Sequence, residues 1–163
     1  MPAIAAWRRM LAAFPVVLVT ALTLSMFTAG PADAQRTLRE RKIHHGVKIA
    51  LNQLGDPYAY GHAGPNSFDC SGLTMFSYQK AGLSLPRTTG AQYARLRHIP
   101  HSKMRRGDLM YFHSGSDIYH AAIFLGRHDG SAWLLHASRT GTPVKRDPVW
   151  TSSWYGATFR HRR

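Results

Sequence analysis

The sequence predicts an α+β fold, with helices first and an antiparallel sheet after them. Three observations carry this. In the first half, Ile43, Val47, Ala50, Leu51 and Leu54 stand at i, i+4, i+7, i+8 and i+11, one face of a helix. From Asp108 onward the pattern becomes short apolar runs: Leu109–His113, Tyr119–Leu125, Ala132–Ala137, Val144–Arg146 and Tyr155–Arg160, with turn residues between them. Helices grouped before strands, rather than alternating with them, favour antiparallel pairing.

The chain has 163 residues, enough for one domain with a real core. Arg8 and Arg9, the apolar run Leu11–Ala29 and Pro31-Ala32-Asp33-Ala34 read as an export signal cut after Ala34, with an uncleaved membrane anchor as the rival. Both readings put residues 35–163, a single domain, outside the cytoplasm. Lys and Arg outnumber Asp and Glu by 21 to 8, which predicts polyanionic surroundings. Export removes the usual nucleic-acid targets, and no nucleic-acid motif is present. The ten histidines are scattered, with no HExxH or paired-cysteine spacing, so no metal or other cofactor is expected.

Helix one is predicted over Arg36–Leu54, with Gly55 as its C-terminal stop. The turn-rich run Gly55–Asn66 leads to Ser67-Phe68-Asp69-Cys70-Ser71-Gly72-Leu73 and a helix over Ser71–Ala81, stopped by Gly82. Leu73, Phe76 and Leu83 are its packing residues. Asp69 is placed to cap that helix by accepting from the N–H of Ser71 or Gly72. Cys70, the one cysteine of the chain, then sits in the first turn. The helix dipole there predicts a lowered thiol pKa and a nucleophilic thiolate. An exported chain with a single cysteine cannot form an internal disulfide, so its thiol is worth attention. Thr89-Gly90-Ala91-Gln92 fits a capping box for a short third helix to about Leu96. The basic loop Arg97–Arg106 reads first as a solvated charge run and, failing that, as the best candidate for a polyanion contact. Arg106-Gly107-Asp108 spells RGD but reads simply as the opening of a strand.

His120 and His136 lie on consecutive predicted strands around the loop Gly126–Gly130. Pairing Leu125 with Ser131 sets His120 directly opposite His136 on one face, with Cβ atoms ~5 Å apart. A slip of one residue would separate them. A thiol nucleophile needs a base, and the base needs a group that fixes its tautomer. Cys70 is the expected nucleophile, His120 the base and later acid, and His136 the orienting residue. The expected resting state is a thiolate–imidazolium pair, and the route an acyl-enzyme with the Cys70 N–H as oxyanion donor.

These residues resemble those of the NlpC-type cell-wall peptidases, bacterial cysteine endopeptidases with a papain-like fold. The matching pieces are Pro57-Tyr58-Ala59-Tyr60-Gly61, Phe68–Leu73, Leu85-Pro86-Arg87-Thr88-Thr89 with Gln92, Gly107-Asp108-Leu109, His120–Gly126 and Leu135-His136-Ala137. The resemblance assigns Cys70, His120 and His136 to a catalytic triad and places Tyr58 beside the nucleophile. It sets Asp69, Ser71 and Arg87 near the substrate groove. It implies hydrolysis of peptidoglycan stem peptides at the bond between D-γ-glutamate and diaminopimelate or lysine. The oligomeric state is not read from the sequence, and a secreted monomer is the default. Tyr60, His62, Ala121-Ala122 and Arg106 depart from the family's usual Trp, Gly, Val-Gly and Pro, which bears on substrate preference. The alternatives are a papain-like amidase cutting between glycan and stem peptide, and a non-catalytic binder of anionic wall polymer.

Overall fold

The computed structural model describes residues 30–160, in the order α1 (Pro31–Leu51), α2 (Cys70–Lys80), α3 (Thr89–Arg95), β1 (Arg97–Ile99), a 3-10 turn (His101–Lys103), β2 (Leu109–Ser114), β3 (Asp117–His128), β4 (Ser131–His136), β5 (Lys145–Pro148) and β6 (Trp154–Thr158). The strands form one antiparallel sheet ordered β1-β6-β2-β3-β4-β5. The predicted α+β class is the observed one. The export segment Leu11–Ala29 lies outside the described residues. Among those residues, no helix is long and apolar enough to cross a membrane.

α1 begins and ends earlier than its periodicity predicts. It covers Pro31 to Leu51, so the expected cleavage point after Ala34 falls in its first turn. Proline at the first helical position explains the early start, since its missing N–H is one that the helix leaves unbonded anyway. Ile43, Val47 and Ala50 are buried as expected, but Leu54 lies past the helix end and is exposed. These α1 residues pack with Leu73 and Tyr78 of α2 against one face of the sheet, formed by Leu109, Tyr111, Ile123 and Leu135. Phe76 is only partly buried against this cluster. The other face carries Met110, Phe112, Ala122, Phe124, Leu134 and Trp154. Each fully buried side chain of this size contributes roughly 1.5–3 kcal/mol.

Asp108 is not a mere strand opener. It is buried, accepts from the Arg105 N–H at 2.6 Å, and pairs with the Arg160 guanidinium. Arg160 also holds Glu40 of α1, at 2.8 and 3.0 Å. This ties the chain's C-terminal end to both α1 and the start of β2.

The capping box is not formed. Thr88 takes the N-cap position of α3 without a side-chain bond, while Thr89 Oγ1 donates to the Ile118 carbonyl at 2.7 Å. Gln92 turns inward instead. Its Oε1 accepts from Thr74 Oγ1 at 2.8 Å, and its Nε2 donates to the carbonyls of Ser71 and Pro86, both at 2.9 Å. A buried amide with four hydrogen-bonding sites gains more from these partners than from a solvent-facing cap.

Candidate active site

Cys70 opens α2, with Asp69 as N-cap. The Asp69 carboxylate accepts from the N–H of Gly72 at 2.7 Å and of Gly61 at 2.9 Å. Of the two capping partners expected, Gly72 is the one found. Arg87 grips the same carboxylate through both terminal nitrogens, and its Nη1 also donates to Ser71 Oγ at 2.9 Å. Burial opposes the charge on Asp69, but Arg87 and the two N–H groups outweigh it and hold the carboxyl below its ordinary range. Asp69, Ser71 and Arg87 therefore lie beside Cys70 as one hydrogen-bonded unit that braces the loop. Gly72 is required here: a Cβ would stand 2.1 Å from the His62 carbonyl oxygen. The helix start is thus pressed against the backbone of the preceding loop.

That loop is tied to the β4–β5 connection. Gly55 N–H donates to Val144 O at 3.0 Å, Val144 N–H to Asp56 O at 2.8 Å, and Tyr58 N–H to Thr142 O at 3.2 Å. Tyr58 is bridged to Phe68. Burial, then the neighbouring Cys70 and Asp69, raise its phenol pKa, which places its hydroxyl in the field of the nucleophile.

The β3–β4 register differs from the expected one. Strand β3 runs on to His128, which pairs with Ser131, and the turn is only Asp129-Gly130. Both turn residues have positive φ, 48° and 76°, as a two-residue primed turn demands. A bulge between Phe124 and Gly126 then resets the pairing to Ile123 with Leu135. His136 thus stands level with Ala122, and His120 is its diagonal neighbour rather than its direct one. The displacement is two residues, so both rings stay on one face, that of Ala122 and Leu134. Their nitrogens meet, His120 Nε2 to His136 Nδ1, at 2.9 Å.

The same geometry delivers Cys70. Phe124 bonds through its N–H and carbonyl to Asp108 and Gly107. Antiparallel alternation then turns the Ala121 N–H to the β4 side. β4 has already ended at His136, and the Ala121 N–H is among the backbone groups that act to lower the Cys70 thiol pKa. The thiol lies against the residue that follows His120.

A residue absent from the expected set completes the row. Asp147 on β5 accepts from His136 Nε2 at 3.0 Å and from Lys145 Nζ at 2.9 Å. A carboxylate can only accept, so the chain of protons is ordered. His136 carries its proton on Nε2, its Nδ1 accepts from His120 Nε2–H, and His120 Nδ1 keeps its lone pair. Among the described residues that nitrogen has no hydrogen-bond partner. Asp147 is the only Asp or Glu after Asp129 in the sequence, a usable signal. Its place beside His136 depends on the β4–β5 pairing of His136 with Lys145. Trp150 was also not anticipated. Half-exposed, it stacks on Phe112 at 4.5 Å between centroids and lies 5.5 Å from the His136 ring and 6.0 Å from His120.

The electrostatics correct one expectation. Burial pushes the Cys70 thiol pKa up, and the charge of Asp69 adds to this, against the opposing N–H groups of Ala121, Ser71 and Cys70 itself. Burial, with His136 beside it, pushes His120 down to about 3. His136 is lowered by burial, with Asp147 opposing. Both groups are thus shifted toward their neutral forms, against the expected thiolate–imidazolium pair. Desolvation outweighs the helix dipole at this depth. No group of three or more His, Cys, Asp or Glu side chains suited to a metal ion occurs among the described residues.

Helices packed on an antiparallel sheet, with a cysteine at a helix start and paired histidines on the strands, define the papain-like class. Within it the chain belongs to the NlpC/P60 family, whose model matches residues 55–163. Over 108 residues it is 43% identical to a probable endopeptidase p60 of Listeria monocytogenes, covering 66% of this chain and 21% of the relative. The chain spans about a fifth of that relative's length. In structure it is similar to the peptidoglycan hydrolase RipB of Mycobacterium tuberculosis, with TM-score 0.68 and 26% identity over 82% of this chain and 74% of the other. It is also similar to RipD of that organism, described as a non-catalytic NlpC/p60 domain protein adapted to peptidoglycan binding, with TM-score 0.62 and 25% identity over 72% and 97%.

Proposed function

We propose that this protein is an exported cysteine endopeptidase of peptidoglycan, cutting the stem peptide at the D-γ-glutamyl bond to diaminopimelate or lysine. The observation that carries the reading is the ordered row Asp147–His136–His120, with Cys70 against Ala121. Homologues named probable endopeptidases support the choice of bond type.

His120 Nδ1 takes the Cys70 proton as Sγ attacks the scissile carbonyl, so charge develops during attack rather than before it. His136 and Asp147 accept along the row and stabilise the imidazolium. The Cys70 N–H faces the developing oxyanion, and the Tyr58 hydroxyl is a second donor. Collapse breaks the C–N bond, and the leaving amine takes the proton from His120. Water, deprotonated by His120, then cleaves the thioester and restores the thiol. Trp150 walls the groove beside the two histidines, while Asp69, Ser71 and Arg87 hold its cysteine end. The bond is identified by incubating wild type and Cys70→Ala with purified peptidoglycan and defined muropeptides and weighing the products. Cleavage within the stem peptide by wild type alone supports the proposal. A cut at the glycan–peptide amide makes the enzyme an amidase.

A second reading has its own support. The likeness to RipD and the shift of Cys70 and His120 toward their neutral forms are also what a binding domain would show. No product from either protein, with equal wall retention, would decide for that reading.

A further inference from the structure

One cleft of the described residues lies away from Cys70. It has a volume of about 770 Å³ and lies between α1, the α2–α3 connection, β1 and the end of β6. It shares no lining residue with the site above. Arg39, Lys42, Arg95 and Arg97 surround it, and no Asp or Glu lines it. Arg160 also reaches it, but Glu40 and Asp108 neutralise that charge.

The four other cations have no carboxylate partner among the described residues. Main-chain carbonyls fix three of them: Arg39 Nη1 on Phe159 O at 3.3 Å, Lys42 Nζ on Gly82 O at 3.2 Å, and Arg97 Nε on Arg160 O at 2.9 Å. These bonds set where the cations stand without compensating their charge. Arg39, Lys42 and Arg97 are half-buried, so they are also partly stripped of water. Gathering like charges around one recess, partly desolvated, is unfavourable unless an anion enters it. Three guanidinium forks suit the paired oxygens of a phosphate. The volume is that of a ligand pocket, not of a single-ion site. A recess also takes a chain better than it takes the flat face of a bilayer.

We propose that this cleft binds a phosphodiester-linked polymer of the cell wall, a site separate from the catalytic groove. It would hold the protein on the wall while the Cys70 site works on the stem peptide. The test titrates poly(glycerol phosphate) into the Cys70→Ala protein by calorimetry. It is compared with the same protein carrying Lys42→Gln and Arg95→Gln. A control carries Lys48→Gln and Arg139→Gln, two exposed cations outside the cleft whose loss lowers the net charge equally. The expected result is a rise in Kd of about tenfold for the cleft variant and less than about twofold for the control. Equal losses in both would overturn the proposal and leave only general charge attraction. No binding by the unaltered protein would also overturn it, as would cleft-dependent binding to phosphatidylglycerol vesicles but not to the polymer. Arg95→Gln alone, at an exposed position, serves if the double variant does not fold. The readout is independent of hydrolysis, so failure here leaves the assignment of Cys70 untouched, and the reverse holds too.

Discussion

Replacing Asp147 by Asn tests the proton order that the site requires. The carboxylate can only accept from His136 Nε2–H, at 3.0 Å. An amide can also donate. If it does, His136 carries its proton on Nδ1, His120 Nε2 must accept, and the His120 proton moves to Nδ1, where the base is needed. Two unit charges at this separation interact by about 1.4 kcal/mol in water and by about 5 kcal/mol at an effective dielectric of 20. Asp147 is 29% exposed and shares its charge with Lys145, so the lower part of that range applies. A loss of about 1.5–3 kcal/mol in the transition state gives a fall of roughly 10- to 150-fold in kcat. KM should stay within about twofold, because Asp147 is held by His136 and Lys145 rather than aimed at the groove. The assay is initial rates on a defined muropeptide by chromatography, with melting curves for both proteins. A kcat within twofold of wild type at unchanged stability would refute the tautomer argument. A large KM change with constant kcat would show that Asp147 touches substrate instead.

The raised Cys70 pKa predicts slow alkylation by iodoacetamide at pH 7, rising about tenfold per pH unit until above pH 9. A rate plateau between pH 5 and 8 that vanishes in His120→Ala would instead establish a preformed ion pair. The unfolded His120 titrates near 6.5 and the folded one near 3, so the neutral ring stabilises the fold fully above about pH 6.5. That contribution, of order 4 kcal/mol, is lost as pH falls through about 3. Acid melting curves of His120→Gln should be flatter across this window, and parallel curves would sink the point. Gly72→Ala forces a Cβ onto the His62 carbonyl and should cost about 2–4 kcal/mol, read as a lower Tm with loss of activity. An unchanged Tm would mean that the loop yields freely. Trp150→Ala should raise KM by about three- to tenfold with little change in kcat, since the half-exposed indole walls the groove without bonding to either histidine. A drop in kcat alone would instead make it part of the proton row.

Much of this was legible in the sequence because it depends on neighbours along the chain. The helix stop at Gly82, the Asp69 cap and Cys70 in the first turn all follow from residues within about four positions of one another, whereas α1 ends at Leu51, before the expected stop at Gly55. The shared face of His120 and His136 also followed, since a two-residue error in register preserves strand parity. Where the sequence misled, a distant partner outbid a local one. Gln92 had a cap to serve three residues away, and instead found Thr74, Ser71 and Pro86 in the interior. The helix dipole favours a thiolate at Cys70, but only packing decides how much water remains, and burial reverses the shift.

By itself, the sequence determined an α+β chain with one reactive-cysteine candidate at a helix start, two strand histidines within reach of each other, and a strongly basic surface. Local propensity and periodicity act over a few residues and need no knowledge of the fold. Tertiary structure alone decided that a bulge after Phe124 makes the histidines diagonal neighbours, and that β4 ends at His136. It alone brought Asp147 to His136 across a strand pair, and four cations with no carboxylate partner among the described residues to one cleft. Each of these depends on register or on packing between segments far apart in the chain, which a reading of adjacent residues does not contain.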